Sequence, residues 1–133
     1  MHRARILLID DEPSFTRMLK LNLERRGFEV MVENNGANAY VAARQFLPDF
    51  IFLDVIMPDV DGGEVASRIR DDAGLHAVPI VFLTAGVSKE ATRLRKNVIG
   101  GEIYLAKPAS VDEVVHCIER VLGRKAGAVP GSS

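Results

Sequence analysis

An α/β fold, a parallel sheet with helices on both faces, is what this sequence predicts, and three observations carry the prediction. Short, wholly apolar runs recur at Ile6-Leu7-Leu8-Ile9, Phe50-Ile51-Phe52-Leu53 and Ile80-Val81-Phe82-Leu83. Such runs suit strands buried on both faces, as in parallel sheets. Amphipathic stretches separate them, so strands and helices alternate. Each run also stops abruptly at polar residues, namely Asp10-Asp11-Glu12, Asp54 and Thr84.

Taken in order, the first strand ends at three acids. Phe15, Met18, Leu19 and Leu23 then recur at helical spacing, and Gly27 follows Arg25-Arg26 as a stop signal. Phe28, Val30 and Val32 alternate with Glu29 and Glu33, which predicts a second strand nearer the sheet edge. Asn34-Asn35-Gly36 is a turn signal, and a second helix is expected from about Ala37 to Gln45 before Pro48. After the third strand, Pro58-Asp59-Val60-Asp61-Gly62-Gly63 reads as a turn. It leads into a helix with Val65, Ala66 and Ile69. A fourth helix is expected around Ala91, Leu94 and Val98, ending at Gly100-Gly101. Ile103 to Ala106 is the fifth strand, and Lys107-Pro108 follows it. Ser110-Val111-Asp112-Glu113 is a capping box opening a last helix with a stripe at Val111, Val114, Val115, Ile118, Val121 and Leu122. Residues 124–133 have the composition of a tail or linker.

Bulk properties narrow the function classes. The 133 residues fit one domain. A net charge of -1 offers no basic excess to meet a nucleic-acid backbone. The single cysteine, Cys117, forms no internal disulfide. No apolar run approaches a membrane span, and the basic start at Met1-His2-Arg3 meets acids too soon for a signal peptide. The expectation is a cytoplasmic protein.

In α/β sheets ligands sit beyond the carboxyl ends of the strands. That rule gathers Asp10, Asp11, Asp54, Thr84 and Lys107 at one edge. Clustered carboxylates repel one another unless a cation sits among them, and hard oxygen ligands favour Mg²⁺. Asp54 then reads as a nucleophile able to form an aspartyl phosphate. Lys107 would supply a positive charge and Thr84 a hydrogen-bond donor to the phosphoryl oxygens. The bland readings are helix capping for Asp10 and Asp11, strand packing for Thr84 and Tyr104, and an ordinary surface lysine at 107. Lys89, Arg93, Arg95 and Lys96 make the fourth helix basic, by default a solvated face.

Four segments together resemble the receiver domains of two-component (phosphorelay) response regulators, the chemotaxis response regulator among them. They are Ile6 to Glu12, Leu53 to Gly62, Leu83-Thr84-Ala85 and Tyr104-Leu105-Ala106-Lys107-Pro108. The resemblance covers about residues 4–122. It implies a flavodoxin-like doubly wound (βα)5 fold with a five-stranded parallel sheet in the order 2-1-3-4-5. It assigns residues 1–123 to the receiver domain and 124–133 to a flexible tail or the start of a linker. It implies that Asp11, Asp54 and the Ile56 carbonyl hold Mg²⁺, with Asp10 helping through water. The donor would be the phosphohistidine of a sensor histidine kinase or a histidine phosphotransfer protein. The resemblance further implies a switch at Thr84 and Tyr104 that alters the surface of the fourth helix, fifth strand and fifth helix. It also implies a cis Lys107–Pro108 peptide, and phosphoryl-lifetime tuning at Ile56 and Gly86. The chain would be an acceptor assisting its own phosphorylation and dephosphorylation, not a turnover enzyme. It would pass its signal to an effector domain or a downstream protein, with no direct contact to nucleic acid or membrane. Homodimerisation through the fourth-to-fifth-helix face stays open. The alternatives are an interaction module of the same fold that works without phosphorylation, an aspartate-nucleophile phosphatase of the haloacid dehalogenase type, and a flavin-binding module. Glu12 stands where the phosphatase needs an aspartate two residues after Asp10, and Asp10-Asp11-Glu12 would repel a flavin phosphate.

Overall fold

The computed structural model describes residues 3–86, 88, 90, 98–99 and 102–123. The strands are β1 (Arg5–Ile9), β2 (Glu29–Glu33), β3 (Phe50–Leu53), β4 (Ile56–Met57), β5 (Val60–Asp61), β6 (Ile80–Thr84), β7 (Val98–Ile99) and β8 (Glu102–Ala106). The helices are α1 (Pro13–Arg25), α2 (Ala39–Phe46), α3 (Gly62–Arg70) and α4 (Val111–Leu122). The main sheet runs β2-β1-β3-β6-β8-β7. Its first five strands pair in parallel, which is the expected 2-1-3-4-5 order.

Register explains the two-sided core. Ile6 lies beside Phe50 and Leu7 beside Ile51, so alternate residues of neighbouring strands share a face. Ile6, Leu8, Phe50, Phe52, Val81 and Leu83 pack with Leu19 and Leu23 of α1 and Val114 and Ile118 of α4. Leu7, Ile9, Ile51, Leu53, Ile80 and Phe82 pack with Ala42 and Ala43 of α2 and Ala66 and Ile69 of α3. Both faces of β1, β3 and β6 are therefore covered from Ile6, Phe50 and Ile80 onward, and the residues there are apolar until the strands end. That is why the apolar runs are continuous and why each breaks at a polar group.

Several elements differ from expectation. Met18 is 41% exposed, whereas Thr16 is buried. The Thr16 hydroxyl donates back to the Pro13 and Glu12 carbonyls, which satisfies it inside the helix stripe. The second helix begins with a 3₁₀ turn at Gly36–Asn38 before α2, because Asn35 accepts from the Ala37 amide and tightens the entry. The turn after the third strand folds into a small antiparallel hairpin, β4 with β5, with Asp59 in the left-handed region at φ 60. Val98 sits in strand β7, antiparallel to β8, and not in a helix. The backbone pairing of Val98 with Ile103 and of Ile99 with Glu102 covers that end of the edge that β8 would otherwise expose. Ala91, Leu94, the Gly100-Gly101 stop, the basic cluster at 89–96 and the tail 124–133 lie outside the described residues.

Helix α4 starts as the sequence indicates. Ser110 Oγ accepts from the Glu113 amide at 3.1 Å, and Glu113 accepts from the Ser110 amide at 3.0 Å. Cys117 faces the core of this helix, where burial pushes its thiol from 9.0 up to about 11 against a small opposing effect of Arg120. At pH 8 a thiol reagent will therefore react with native Cys117 on the order of 100-fold more slowly than in the unfolded chain, because the thiolate is the nucleophile. Equal rates in buffer and in denaturant would contradict this burial. The unfolded chain gives up that proton first, so between about pH 9 and 11 this group removes stability as pH rises.

Among the described residues, no helix is long and apolar enough to cross a membrane.

Candidate functional site

The carboxyl ends of β1, β3, β6 and β8 meet at one edge of the sheet, and the polar residues that end those strands meet there too. Asp10 leaves β1 with its amide donating to the Glu33 carbonyl at 3.1 Å. Its Oδ1 accepts from the Glu12 amide at 3.0 Å, which turns the chain into α1. Asp54 leaves β3 with its amide donating to the Ile9 carbonyl at 2.9 Å, and its Oδ1 accepts from the Ile56 amide at 3.0 Å. Both carboxylates are thus anchored by one oxygen, leaving the other to face the site. Both residues are buried.

Lys107 closes the arrangement. Its backbone amide donates to the Thr84 carbonyl at 3.0 Å, continuing the β6–β8 ladder past the strand end. Its Nζ lies 2.7 Å from Asp10 Oδ2, 2.7 Å from Glu12 Oε1 and 3.3 Å from Asp54 Oδ2. The Phe15 ring sits 4.9 Å from the ammonium. The peptide between Lys107 and Pro108 is cis, as expected.

Charge dominates this pocket. Burial raises the Asp10 pKa, and the Lys107 contact and the Glu12 amide only partly oppose it. Burial alone would lower the Lys107 pKa, yet contact with Asp10 and Glu12 and the nearby charges hold it above the ordinary lysine range. Asp10 Oδ2 is a buried oxygen with no well-aligned hydrogen bond, and its contact with the ammonium, 2.7 Å away, is a close ion pair.

Of the residues singled out in the sequence, Asp10, Asp54 and Lys107 are in mutual reach. Thr84 is buried at the end of β6, where its hydroxyl accepts from the Gly86 amide at 3.1 Å. Tyr104 is half-buried on β8 and packs on Phe82, ring centroids 5.3 Å apart. Asp11 is half-buried beside the site. Among the described residues, the carboxylate oxygens lying within 4.8 Å of one another belong to Asp10, Glu12 and Asp54.

The sequence pattern does not single out Glu12 or Asn34 as a site residue. The Asn34 amide donates to the Asp10 carbonyl at 2.7 Å and to the Thr16 hydroxyl at 3.0 Å. It thereby ties the β1–α1 loop to the loop after β2. Its sequence signal was that of a turn alone. Ile56 is 64% exposed, and its Cδ1 would lie 3.5 Å from a Cβ placed on Gly86. The side chain thus spans the gap between the loops after β3 and β6.

All the side-chain donors gathered here, apart from one ammonium, are carboxylate oxygens. Three carboxylates face that one ammonium, and Asp10 Oδ2 is a buried oxygen with no well-aligned hydrogen bond. This donor set fits a hard divalent cation such as Mg²⁺.

Known proteins of the same shape carry similar sequences. The receiver domain of the sensor histidine kinase PA1611 from Pseudomonas aeruginosa PAO1, solved with a magnesium ion coordinated in its active-site cleft, aligns with a TM-score of 0.75 at 27% identity. That alignment covers 92% of this chain and 99% of the other. The chemotaxis protein CheY4 of Vibrio cholerae aligns with a TM-score of 0.77 at 30% identity, covering 90% and 99%. The alkaline phosphatase synthesis transcriptional regulatory protein PhoP of Bacillus subtilis (strain 168) is 36% identical over 128 residues. Those residues are 96% of this chain and 52% of PhoP. The transcriptional regulator RpaA of Synechocystis is 34% identical over 120 residues, 90% of this chain and 49% of RpaA. The chain therefore spans about half the length of these curated relatives. The family described as the response regulator receiver domain matches residues 6–119, nearly all of the folded chain, and the protein belongs to that family.

Proposed function

We propose that Asp54 is the phosphoacceptor of this receiver domain and takes its phosphoryl group from the phosphohistidine of a sensor histidine kinase or a histidine phosphotransfer protein. The observation that carries the reading is the Lys107 ammonium, held 3.3 Å from the free oxygen of a buried Asp54. Asp54 Oδ2 attacks phosphorus, the bond from phosphorus to the donor breaks, and the donor leaves with the bonding pair. The Ile56 amide holds Oδ1 throughout, so the carboxylate does not rotate away. Lys107 meets the negative charge of the transferred group, and the Thr84 hydroxyl supplies a donor once it swings from the Gly86 amide.

Asp11, Asp54 and the Ile56 carbonyl, with Asp10 behind them, are the residues that would hold Mg²⁺. When bound, the ion offsets the carboxylate charge that repels a phosphoryl donor. The chain acts as an acceptor that assists its own phosphorylation and dephosphorylation.

Thr84 and Tyr104 form the switch in this reading. Phe82 and Tyr104 are paired in register, and Thr84 follows Phe82 on the same face of β6. A move of the Thr84 hydroxyl toward the phosphoryl group therefore opens space along the face on which Tyr104 packs. The output surface is built from β8 and α4 with the segment before them. Residues 1–123 form the receiver, and 124–133 have the composition of a tail or the start of a linker. Relatives named as transcriptional regulators, twice the length of this chain, support that arrangement. A phosphohistidine donor implies the cytoplasm.

The test is intact mass and peptide mapping after incubation with acetyl phosphate. One added phosphoryl group on Asp54, dependent on Mg²⁺, supports the reading. No label, under conditions that label another receiver, leaves an interaction module that works without phosphorylation.

Exposed Ile56 bears on the lifetime of that group, because its bulk stands over the Thr84–Gly86 turn and hinders an attacking water. Ile56→Asn should speed loss of the phosphoryl group several-fold. An unchanged decay rate would remove this role.

A further inference from the structure

Lys107 has three carboxylate partners that differ in depth. The side chains of Asp10 and Asp54 are 4% and 6% exposed, whereas that of Glu12 is 58% exposed. Glu12 lies as close to the ammonium as Asp10 does, at 2.7 Å, but from the solvent side. The lysine backbone is tied to Thr84 and its head lies against the Phe15 ring. The ammonium therefore bridges the inner pair and Glu12, and Glu12 is the partner it can keep when the inner pair is given up.

The same inner carboxylates belong to the set that would hold a cation. Asp10 Oδ2 has no well-aligned hydrogen bond, and Asp54 Oδ2 is the oxygen that Asp54 does not commit to the Ile56 amide. Lys107 and a divalent ion compete for both. Ceding them would strand a partly buried ammonium unless another anion received it.

We propose that Glu12 is a positioning residue for Lys107, receiving the ammonium at the mouth of the site so that the inner carboxylates can take a divalent cation. Glu12 acts through the lysine and not as a ligand. This deepens the acceptor reading of Asp54 and rests on it. The segment is suited to the task. Glu12 is the N-cap of α1, where its side chain makes no capping hydrogen bond, so its carboxylate is available to Lys107. Its amide is fixed by Asp10 Oδ1, which sets the carboxylate within reach.

The experiment titrates Mg²⁺ alone into the full chain by calorimetry at physiological ionic strength, with no phosphoryl donor present. Glu12→Gln should weaken Mg²⁺ binding about tenfold, the lower end of the roughly 10–100-fold range of a partner that orients a metal site without touching the metal. Glu12→Asp keeps the charge and shortens the reach, and it should show most of the same loss. In a Lys107→Gln background, Glu12→Gln should change the affinity by less than about twofold, since an exposed charge acting only through space is screened.

Unchanged affinity in Glu12→Gln would overturn the proposal, and so would full retention by Glu12→Asp. An equal loss with and without Lys107 would make Glu12 a direct partner of the cation, which also overturns it. The aspartate variant keeps the question answerable if Lys107→Gln does not fold. Phosphorylation of the unaltered chain by acetyl phosphate is measured in parallel. Failure there with the Glu12–Lys107 coupling intact removes the Asp54 reading alone. Phosphorylation without the coupling removes only the role of Glu12.

Discussion

Asp54→Asn will take up no phosphoryl group from acetyl phosphate in the presence of Mg²⁺, and it will do so while remaining folded. The two halves of this expectation have separate physical grounds. The chemical half is that an amide is uncharged, and the nitrogen that takes the place of Oδ2 has its lone pair delocalised into the carbonyl, so it does not attack phosphorus as a carboxylate oxygen does. Neither Asp10 nor Glu12 is placed to substitute. The ammonium lies directly against Asp10 Oδ2 and Glu12 Oε1, both at 2.7 Å, whereas Asp54 Oδ2 stands off at 3.3 Å and is the more open to an incoming phosphorus. Label appearing on either one in the variant would show that position in the site matters less than carboxylate charge.

The structural half follows from what Asp54 touches. An asparagine oxygen can still accept from the Ile56 amide, so the loop after β3 keeps its anchor. Lys107 keeps Asp10 and Glu12, both at 2.7 Å, as partners. The variant loses one contact at 3.3 Å and also loses the repulsion between Asp54 and Asp10. These changes oppose one another, and stability without metal should shift by no more than about 1 kcal/mol. What should disappear is the stabilisation by Mg²⁺. A ligand at ten times its dissociation constant stabilises the native state by about 1.4 kcal/mol, and losing a ligand carboxylate removes most of that gain. Thermal melting of both proteins with and without Mg²⁺ reads the difference. Equal gains would mean that the ion is held elsewhere.

The site was readable where it depends on strand ends and unreadable where it depends on side-chain reach. Asp10, Asp54, Thr84 and Lys107 each stand where an apolar strand stops, and parallel topology gathers strand ends automatically. Their proximity needed only a correct count of strands. Glu12, Asn34 and Phe15 join the same site through loops and a helix turn. No periodicity predicts that an amide after β2 will reach the carbonyl of Asp10 or that Glu12 will fold back onto Lys107. The fold shows the same division. Runs such as Phe50 to Leu53 have one reading because both faces are buried, while Met18 fits a helical stripe and is nevertheless exposed. Thr16 took the buried place because it can return its hydroxyl to its own helix, a local bond that hydrophobic spacing does not register. Val98 stands at helical spacing from Leu94, a pattern that by itself predicts helix. Pairing with β8, a contact remote from that spacing, makes it strand.

Gly62→Ala should be the most destabilising small substitution near the site, because the new methyl meets backbone and not a movable side chain. A Cβ at this position would lie 2.7 Å from the Asp54 carbonyl oxygen, 2.7 Å from Val55 Cα and 3.1 Å from the Val55 carbonyl oxygen. These atoms belong to the stretch that carries Asp54 out of β3, and the Gly62 amide already donates to Val55 at 3.3 Å. Gly62 is not among the positive-φ residues, so alanine brings no backbone strain of its own and the effect isolates the clash. Relief requires α3 or the Asp54 loop to move away, at a cost of about 1–3 kcal/mol. Either movement shifts the Ile56 amide or the free oxygen of Asp54, so phosphoryl uptake should fall along with stability. Gly63→Ala is the matched control. Its methyl would meet only the Asp61 side chain, at 3.2 Å, and that capping carboxylate need give only slightly while still accepting from the residue-63 amide. Urea unfolding should place the Gly62 variant well below the wild type and the Gly63 variant within about 1 kcal/mol of it. If both variants unfold at the same urea concentration, the close approach of α3 to the acceptor loop is not what holds Asp54 in position.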